Sequence, residues 1–285
     1  MRALAFAMIA AAAAASPASA QPVDKSGYSL TNPTPNDALR ELSTDRPDKT
    51  ESPYTVDAGH FQIELDFLTY TRDFDRSAGQ NLRSETIGVV PVNLKLGLNN
   101  DTDLQLLIDP YVRQTVTNRA TLARERASGV GDVTLRLKRN LWGNDGGRTA
   151  LALMPFVRLP TSSNGIGTGA VEFGLIVPLA IGVSDQVGIG LMTEIDMLER
   201  SDDSGYAATF INSATASFAL SDRLGAYAEL FTERSTERGA RWIVTGDIGL
   251  TFAVTDNLQL DGGVNLGITD SADDLELFVG LSRRF

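Results

Sequence analysis

The sequence predicts an all-β protein: a transmembrane, up-and-down antiparallel β-barrel of about twelve strands over residues 58–285, preceded by an irregular N-terminal segment. Three observations predict it. Apolar and polar residues alternate with a period of two through most of the chain after residue 58, as in a strand whose two faces meet different solvents. The connections alternate between longer polar stretches, six in number, and short Asn/Asp/Ser/Gly turns, five in number. The chain ends on an aromatic residue, Phe285, closing a segment in which Leu275, Leu277, Val279 and Leu281 share one register. An even strand number with both ends on the short-turn side lets the last strand pair with the first and leave no edge in the bilayer. A soluble β-sandwich has no reason to sort its connections by length.

Residues 1–20 read as a secretory signal peptide: Arg2 gives a positive start, Leu4 to Ala15 is an apolar run, and Ala18-Ser19-Ala20 is a small-x-small cleavage site. Without Arg2, 24 Lys and Arg face 36 Asp and Glu, a net charge of −12, so nucleic acid is not a partner. The absence of cysteine rules out a disulfide framework, a thiol nucleophile and a thiolate metal site. A mean hydropathy of −0.06 suits a barrel, because half of each spanning strand faces the lumen.

Residues 21–57 hold Pro22, Pro33, Pro35, Pro47 and Pro53 with no periodicity, and Asn36 to Leu42 predicts one or two helical turns. Alternation then begins. Phe61, Ile63, Leu65 and Phe67 oppose Gln62, Glu64, Asp66 and Tyr70, and a polar connection spans 73–84. Val92, Leu94, Leu96 and Leu98 oppose Asn93 and Lys95, ending at the turn Asn99-Asn100-Asp101. Leu104, Leu106, Ile108 and Val112 oppose Gln105, Asp109, Tyr111 and Arg113, before a polar stretch over 117–129. Val133, Leu135 and Leu137 oppose Asp132, Arg136 and Lys138 up to the turn at Gly143 to Gly146. Further strands cover about 149–159, 171–183, 187–196, 207–220, 224–233, 242–254, 258–268 and 275–285, with turns at Ser184-Asp185, Ser221 to Arg223 and Thr255 to Asn257.

The run Ser43-Thr44-Asp45-Arg46-Pro47-Asp48-Lys49-Thr50-Glu51-Ser52-Pro53-Tyr54-Thr55-Val56, leading through Gly59 into an alternating strand, resembles the opening motif of a bacterial outer-membrane transporter family associated with the MetA (meta-cleavage) pathway of phenol degradation. The strand rhythm extends the resemblance from about residue 43 to the C-terminus, although Asp57 stands where many relatives carry proline. The resemblance implies an outer-membrane channel or facilitator for passive uptake or efflux of small organic solutes, aromatic ones included. The alternative is a structural or surface-interaction barrel with a plugged lumen.

The same alternation sends Glu64, Asp66, Lys95, Asp109, Arg113, Asp132, Arg136, Lys138, Arg158, Glu172, Glu194, Asp196 and Asp247 toward the lumen, as a mixed-charge lining that either sets selectivity or pairs across a narrow space. The acidic excess favours neutral or cationic solutes. Asp45, Arg46, Asp48, Lys49 and Glu51 suit bonding to lumenal charges, so residues 21–57 either fold into the periplasmic mouth as a partial plug or trail as a tail. Catalysis is not expected, since the single His60 opens the first strand, far from an outer-face nucleophile. No cofactor and no metal are implied. Gly165 to Gly169 lacks the lysine and helix of a phosphate loop. Expected partners are outer-membrane lipid and lipopolysaccharide, the barrel-assembly machinery through the C-terminal strand, and a small organic solute, with the protein a monomer.

Overall fold

The computed structural model describes residues 24–75, 81–202 and 205–285; the signal-peptide expectation lies outside them. Its strand segments are β1 (Phe61–Asp75), β2 (Leu82–Val89), β3 (Val92–Asn99), β4 (Thr102–Ile108), β5 (Tyr111–Asn118), β6 (Arg124–Gly129), β7 (Val133–Trp142), β8 (Thr149–Leu159), β9 (Glu172–Gly182), β10 (Val187–Glu199), β11 (Tyr206–Ala219), β12 (Leu224–Ser235), β13 (Ile243–Thr255), β14 (Leu258–Gly267) and β15 (Leu275–Arg284). From β7 to β15 each segment pairs antiparallel with its sequence neighbours, and β15 returns to β1 with Gln62 opposite Arg284. Phe61 and Phe285 exchange backbone hydrogen bonds at this seam (2.8 and 3.4 Å), so the aromatic terminus completes the ladder.

Three neighbouring strands are broken at one height. Val90-Pro91 separates β2 from β3, Asp109-Pro110 separates β4 from β5, and Val130 to Asp132 separates β6 from β7. Proline offers no N–H to a ladder, and Val90 adopts a positive φ of 57° at the kink. With each broken pair counted once, the wall is a closed barrel of twelve antiparallel strands.

β1 answers the break with a bulge between Asp66 and Leu68. The bulge inserts one residue and reverses parity, so Leu68, Tyr70 and Arg72 pair with Val279, Leu277 and Leu275 on the outward face. Tyr70 therefore points out, not into the lumen as simple alternation predicts. The break at Asp109-Pro110 does the same for β5: Tyr111 pairs with Val89 and Arg113 with Ile87, both outward, and Val112 turns inward.

Above the breaks, β1, β2, β5 and β6 form a four-stranded flange, and among the described residues β6 has no strand on its far side. The connection over 160–169 seals its base, with Ser163 and Val130 exchanging hydrogen bonds (3.0 and 3.1 Å) and Asn164 donating to the Ser128 carbonyl (2.8 Å). Most of the polar stretches 73–84 and 117–129, expected as connections, are strand here. A strand standing above the bilayer needs no apolar outer face, so it leaves no hydrophobic rhythm in the sequence.

Outward positions lower down form an apolar belt that includes Leu104, Leu137, Leu191, Leu250 and Val279. Phe61 and Phe285 lie 5.8 Å apart at its turn end, and Phe173 and Tyr206 5.7 Å apart near its loop end, as interfacial girdles require. The expected helical turns at Asn36 to Leu42 reduce to one 3-10 turn, Asn36–Ala38.

Candidate functional site

Residues 24–57 enter the barrel from the turn end. At the mouth, Arg40 donates to Asp145 (2.9 Å), the Thr55 carbonyl (2.8 Å) and both oxygens of Asn100 (2.6 Å each), tying the segment to two tight turns. Asp57 accepts from Arg284 (3.0 Å) on the closing strand. Gly97 is required beside it, because a Cβ there would lie 2.1 Å from the Asp57 carbonyl oxygen. His60 is held between the carbonyls of Thr34 (2.7 Å) and Phe285 (2.9 Å), a structural position with no hydroxyl to activate.

Deeper in, Asp45 sits between two fully buried ammonium groups, Lys95 (2.7 Å) and Lys138. Its backbone N–H donates to Glu64 (3.0 Å), which also accepts from Lys95 (2.8 Å). One nitrogen of Arg46 bridges Asp66 and Asp261 at 2.6 Å each, and its guanidinium stacks 5.7 Å from the Phe278 ring. At the tip, Lys49 reaches Thr245 (2.9 Å) and Asp247 (3.3 Å). The N–H groups of Lys49 and Thr50 both donate to Glu229 (2.9 and 2.8 Å), and Glu51 accepts from Arg136 (2.5 Å). Charges on one segment are thus matched by charges projecting from β1, β3, β7, β12, β13 and β14. Breaking one partner out of such a buried pair costs about 3–5 kcal/mol.

Asp48 is the exception. It carries no basic partner among the described residues, and burial followed by the nearby Glu229 carboxylate pushes it up to about 7. A carboxyl whose pKa is raised on docking favours the docked segment while protonated, and that advantage is lost as pH climbs from about 4 through 7. Conductance of the reconstituted protein in planar bilayers is therefore expected to rise between pH 5 and pH 8, and Asp48→Asn to flatten the profile; a profile unchanged by the substitution would refute the assignment.

The lumenal set divides by contact. Glu64, Asp66, Lys95, Arg136, Lys138 and Asp247 all bind residues 45–51. Nearer the loop end, Arg158 donates to Glu172 (2.8 Å), and Glu194 and Asp196 share the inward face of β10. Asp132 accepts the N–H groups of Ser162 and Thr168 (3.0 Å each), holding the 160–169 connection, and Asp109 lies against Gly131. Arg113 is on the outer face, for the parity reason given above.

Alternation did not expose an apolar station inside the lumen: Met154, Phe156, Ile176 and Met192, with Ile211 packed against them. Met154 pairs with Ile176, and Ile176 and Ile211 both pair with Glu194, so the cluster borders the acidic pair. The Glu51 N–H lies 3.5 Å from the Met192 sulfur, which seats the tip of the N-terminal segment on this cluster. The sequence signal was present: 149–159 and 171–183 are apolar in both registers, which in a barrel leaves one apolar face for the lumen. Below the cluster, Ala180, Gly182, Gly188, Gly190, Thr215 and Ser217 line cavities of about 470 and 310 Å³ between the segment and the wall.

The profile of the family described as "Putative MetA-pathway of phenol degradation" matches residues 44–285. No curated protein matches the chain. Among solved structures, the COG4313 outer membrane channel from Pseudomonas putida F1 is similar with a TM-score of 0.60 at 13% identity, covering 85% of this chain and 100% of that one. The translocator domain of the autotransporter NalP from Neisseria meningitidis is similar with a TM-score of 0.52 at 12% identity, covering 87% of this chain and 91% of that one.

Proposed function

The chain belongs to the family described as "Putative MetA-pathway of phenol degradation" and has the fold of an outer-membrane channel, and from that premise we propose that it is a passive facilitator for small organic solutes with an apolar, aromatic body. The observation that carries this reading is the lumenal cluster Met154, Phe156, Ile176 and Met192. A lumen lined with thioethers and a phenyl ring does little for an ion, whereas an apolar solute finds there a site in which to leave water. Glu194 and Asp196 at its edge offer acceptors to a hydroxyl and disfavour anions. The small residues on β9, β10 and β11 leave cavities beside the N-terminal segment, on the periplasmic side of the cluster.

In this reading the segment 45–51 is a gate, and its partial withdrawal uncovers the cluster. Proteoliposomes holding the full-length protein are expected to take up a neutral monoaromatic compound faster than a sugar of similar size. Equal rates for the two would sink the aromatic assignment. The pairing of Asp45, Arg46, Lys49 and Glu51 with the wall favours one competing reading, a barrel permanently shut whose external connections are its working surface. Absence of any solute flux and of any conductance, in bilayers where the folded barrel is present, would support that reading instead.

A further inference from the structure

We propose that the outward face of the flange, formed by β1, β2, β5 and β6 above the girdle, docks the phosphorylated headgroup of the outer leaflet's glycolipid, lipid A. Although the chain carries a net charge of −11, this one face gathers Arg72, Arg83, Arg113, Arg124 and Arg126 against, among the described residues, a single carboxylate, Glu85. Strand register places them together. Leu277, Tyr70, Ile87, Arg113 and Ser128 form one cross-strand row, and Leu275, Arg72, Glu85, Thr115 and Arg126 form the next row up.

Height supplies the second argument. Leu68, Val89 and Tyr111 form the row beneath, in register with Val279 on the lipid-facing side of the closing strand. On β1, β2 and β5 the arginines therefore begin above the row of Leu68, Val89 and Tyr111. An arginine facing the middle of the acyl layer is destabilising, whereas at its rim it meets phosphates.

The face is also built as a receptacle. Tyr70, Glu85, Arg113, Thr115, Arg124 and Arg126 enclose a cavity of about 150 Å³. Glu85 is engaged by Arg83 (2.9 Å) and by the Tyr70 hydroxyl (2.9 Å), and no carboxylate pairs with Arg113, Arg124 or Arg126 among the described residues. Thr117, paired with both Arg83 and Arg124, is 8% exposed, and its hydroxyl has no hydrogen-bond partner; the buried Nε donors of Arg72 and Arg83 have none either. A cavity walled by the guanidinium groups of Arg113, Arg124 and Arg126, with the unpartnered donors of Arg72, Arg83 and Thr117 elsewhere on the same face, matches phosphate oxygens, which accept bidentate, charge-assisted bonds.

The test titrates the full-length protein in detergent micelles with purified lipid A and with its phosphate-free form. Wild type is expected to bind the phosphorylated lipid at least about tenfold more tightly. The triple variant Arg113→Gln/Arg124→Gln/Arg126→Gln is expected to bind it as weakly as wild type binds the phosphate-free form, while keeping heat-modifiable migration. Arg234→Gln on the far rim is expected to change nothing. Equal wild-type affinity for both lipids overturns the proposal, and that comparison needs no variant, so it stands even if the triple fails to fold. Equal binding of phosphatidylglycerol, or a folded triple variant that binds lipid A normally, also overturns it.

Discussion

Asp45→Asn is expected to unseat the N-terminal segment and raise the single-channel conductance of the reconstituted protein several-fold. The amide keeps the shape of the carboxyl group but removes the charge shared by Lys95 and Lys138, both essentially excluded from solvent. Two buried ammonium groups would then face Glu64 and Asp103 without the segment between them, and the docked state loses about 3 kcal/mol, roughly a hundredfold in its population. Deleting residues 24–50 sets the fully open reference for the same recording. Conductance indistinguishable from wild type in both proteins would mean that the segment does not obstruct the lumen. Heat-modifiable migration should persist, because the twelve-strand wall closes through β1 and β15 without the segment.

Ile176→Asp is the second large effect. Ile176 is 1% exposed and lies between Met154 and Glu194 across the sheet, at the centre of the apolar station. A carboxylate there disrupts the station where an apolar solute sheds water, and it adds a third acidic group beside Glu194 and Asp196. Flux of a neutral monoaromatic compound through proteoliposomes is expected to fall about tenfold, since losing one buried apolar contact and gaining a hydrated charge are worth at least 1.4 kcal/mol together. Permeation of a small sugar should be unchanged or slightly faster. A parallel fall in both would indicate a collapsed or blocked lumen and would remove the cluster's claim to specificity.

Much of the molecule was readable before its fold was seen. Alternation across Phe61 to Leu65, Val92 to Leu98 and Leu275 to Leu281 identified lipid-facing rows that the sheet reproduces, because a regular strand turns every second side chain the same way. The alternation of short turns with long connections gave the strand number and the return of β15 to β1. Alternation failed at Tyr70, Tyr111 and Arg113, each just beyond a bulge or a proline break. One inserted residue reverses parity, and its position depends on what the neighbouring strand does. The charged residues facing the lumen were individually legible, but their partners were not. Arg46 meets Asp261 and Thr50 meets Glu229 across more than 170 residues of sequence, a juxtaposition only closure of the barrel creates.

The sequence alone therefore determined which residues span, how many times the wall crosses and where it closes, since these follow from local periodicity and turn chemistry. Only the tertiary structure decided what fills the lumen and what faces out above the bilayer. Both depend on curvature, bulge placement and long-range charge pairing, which bring together residues that no local pattern connects.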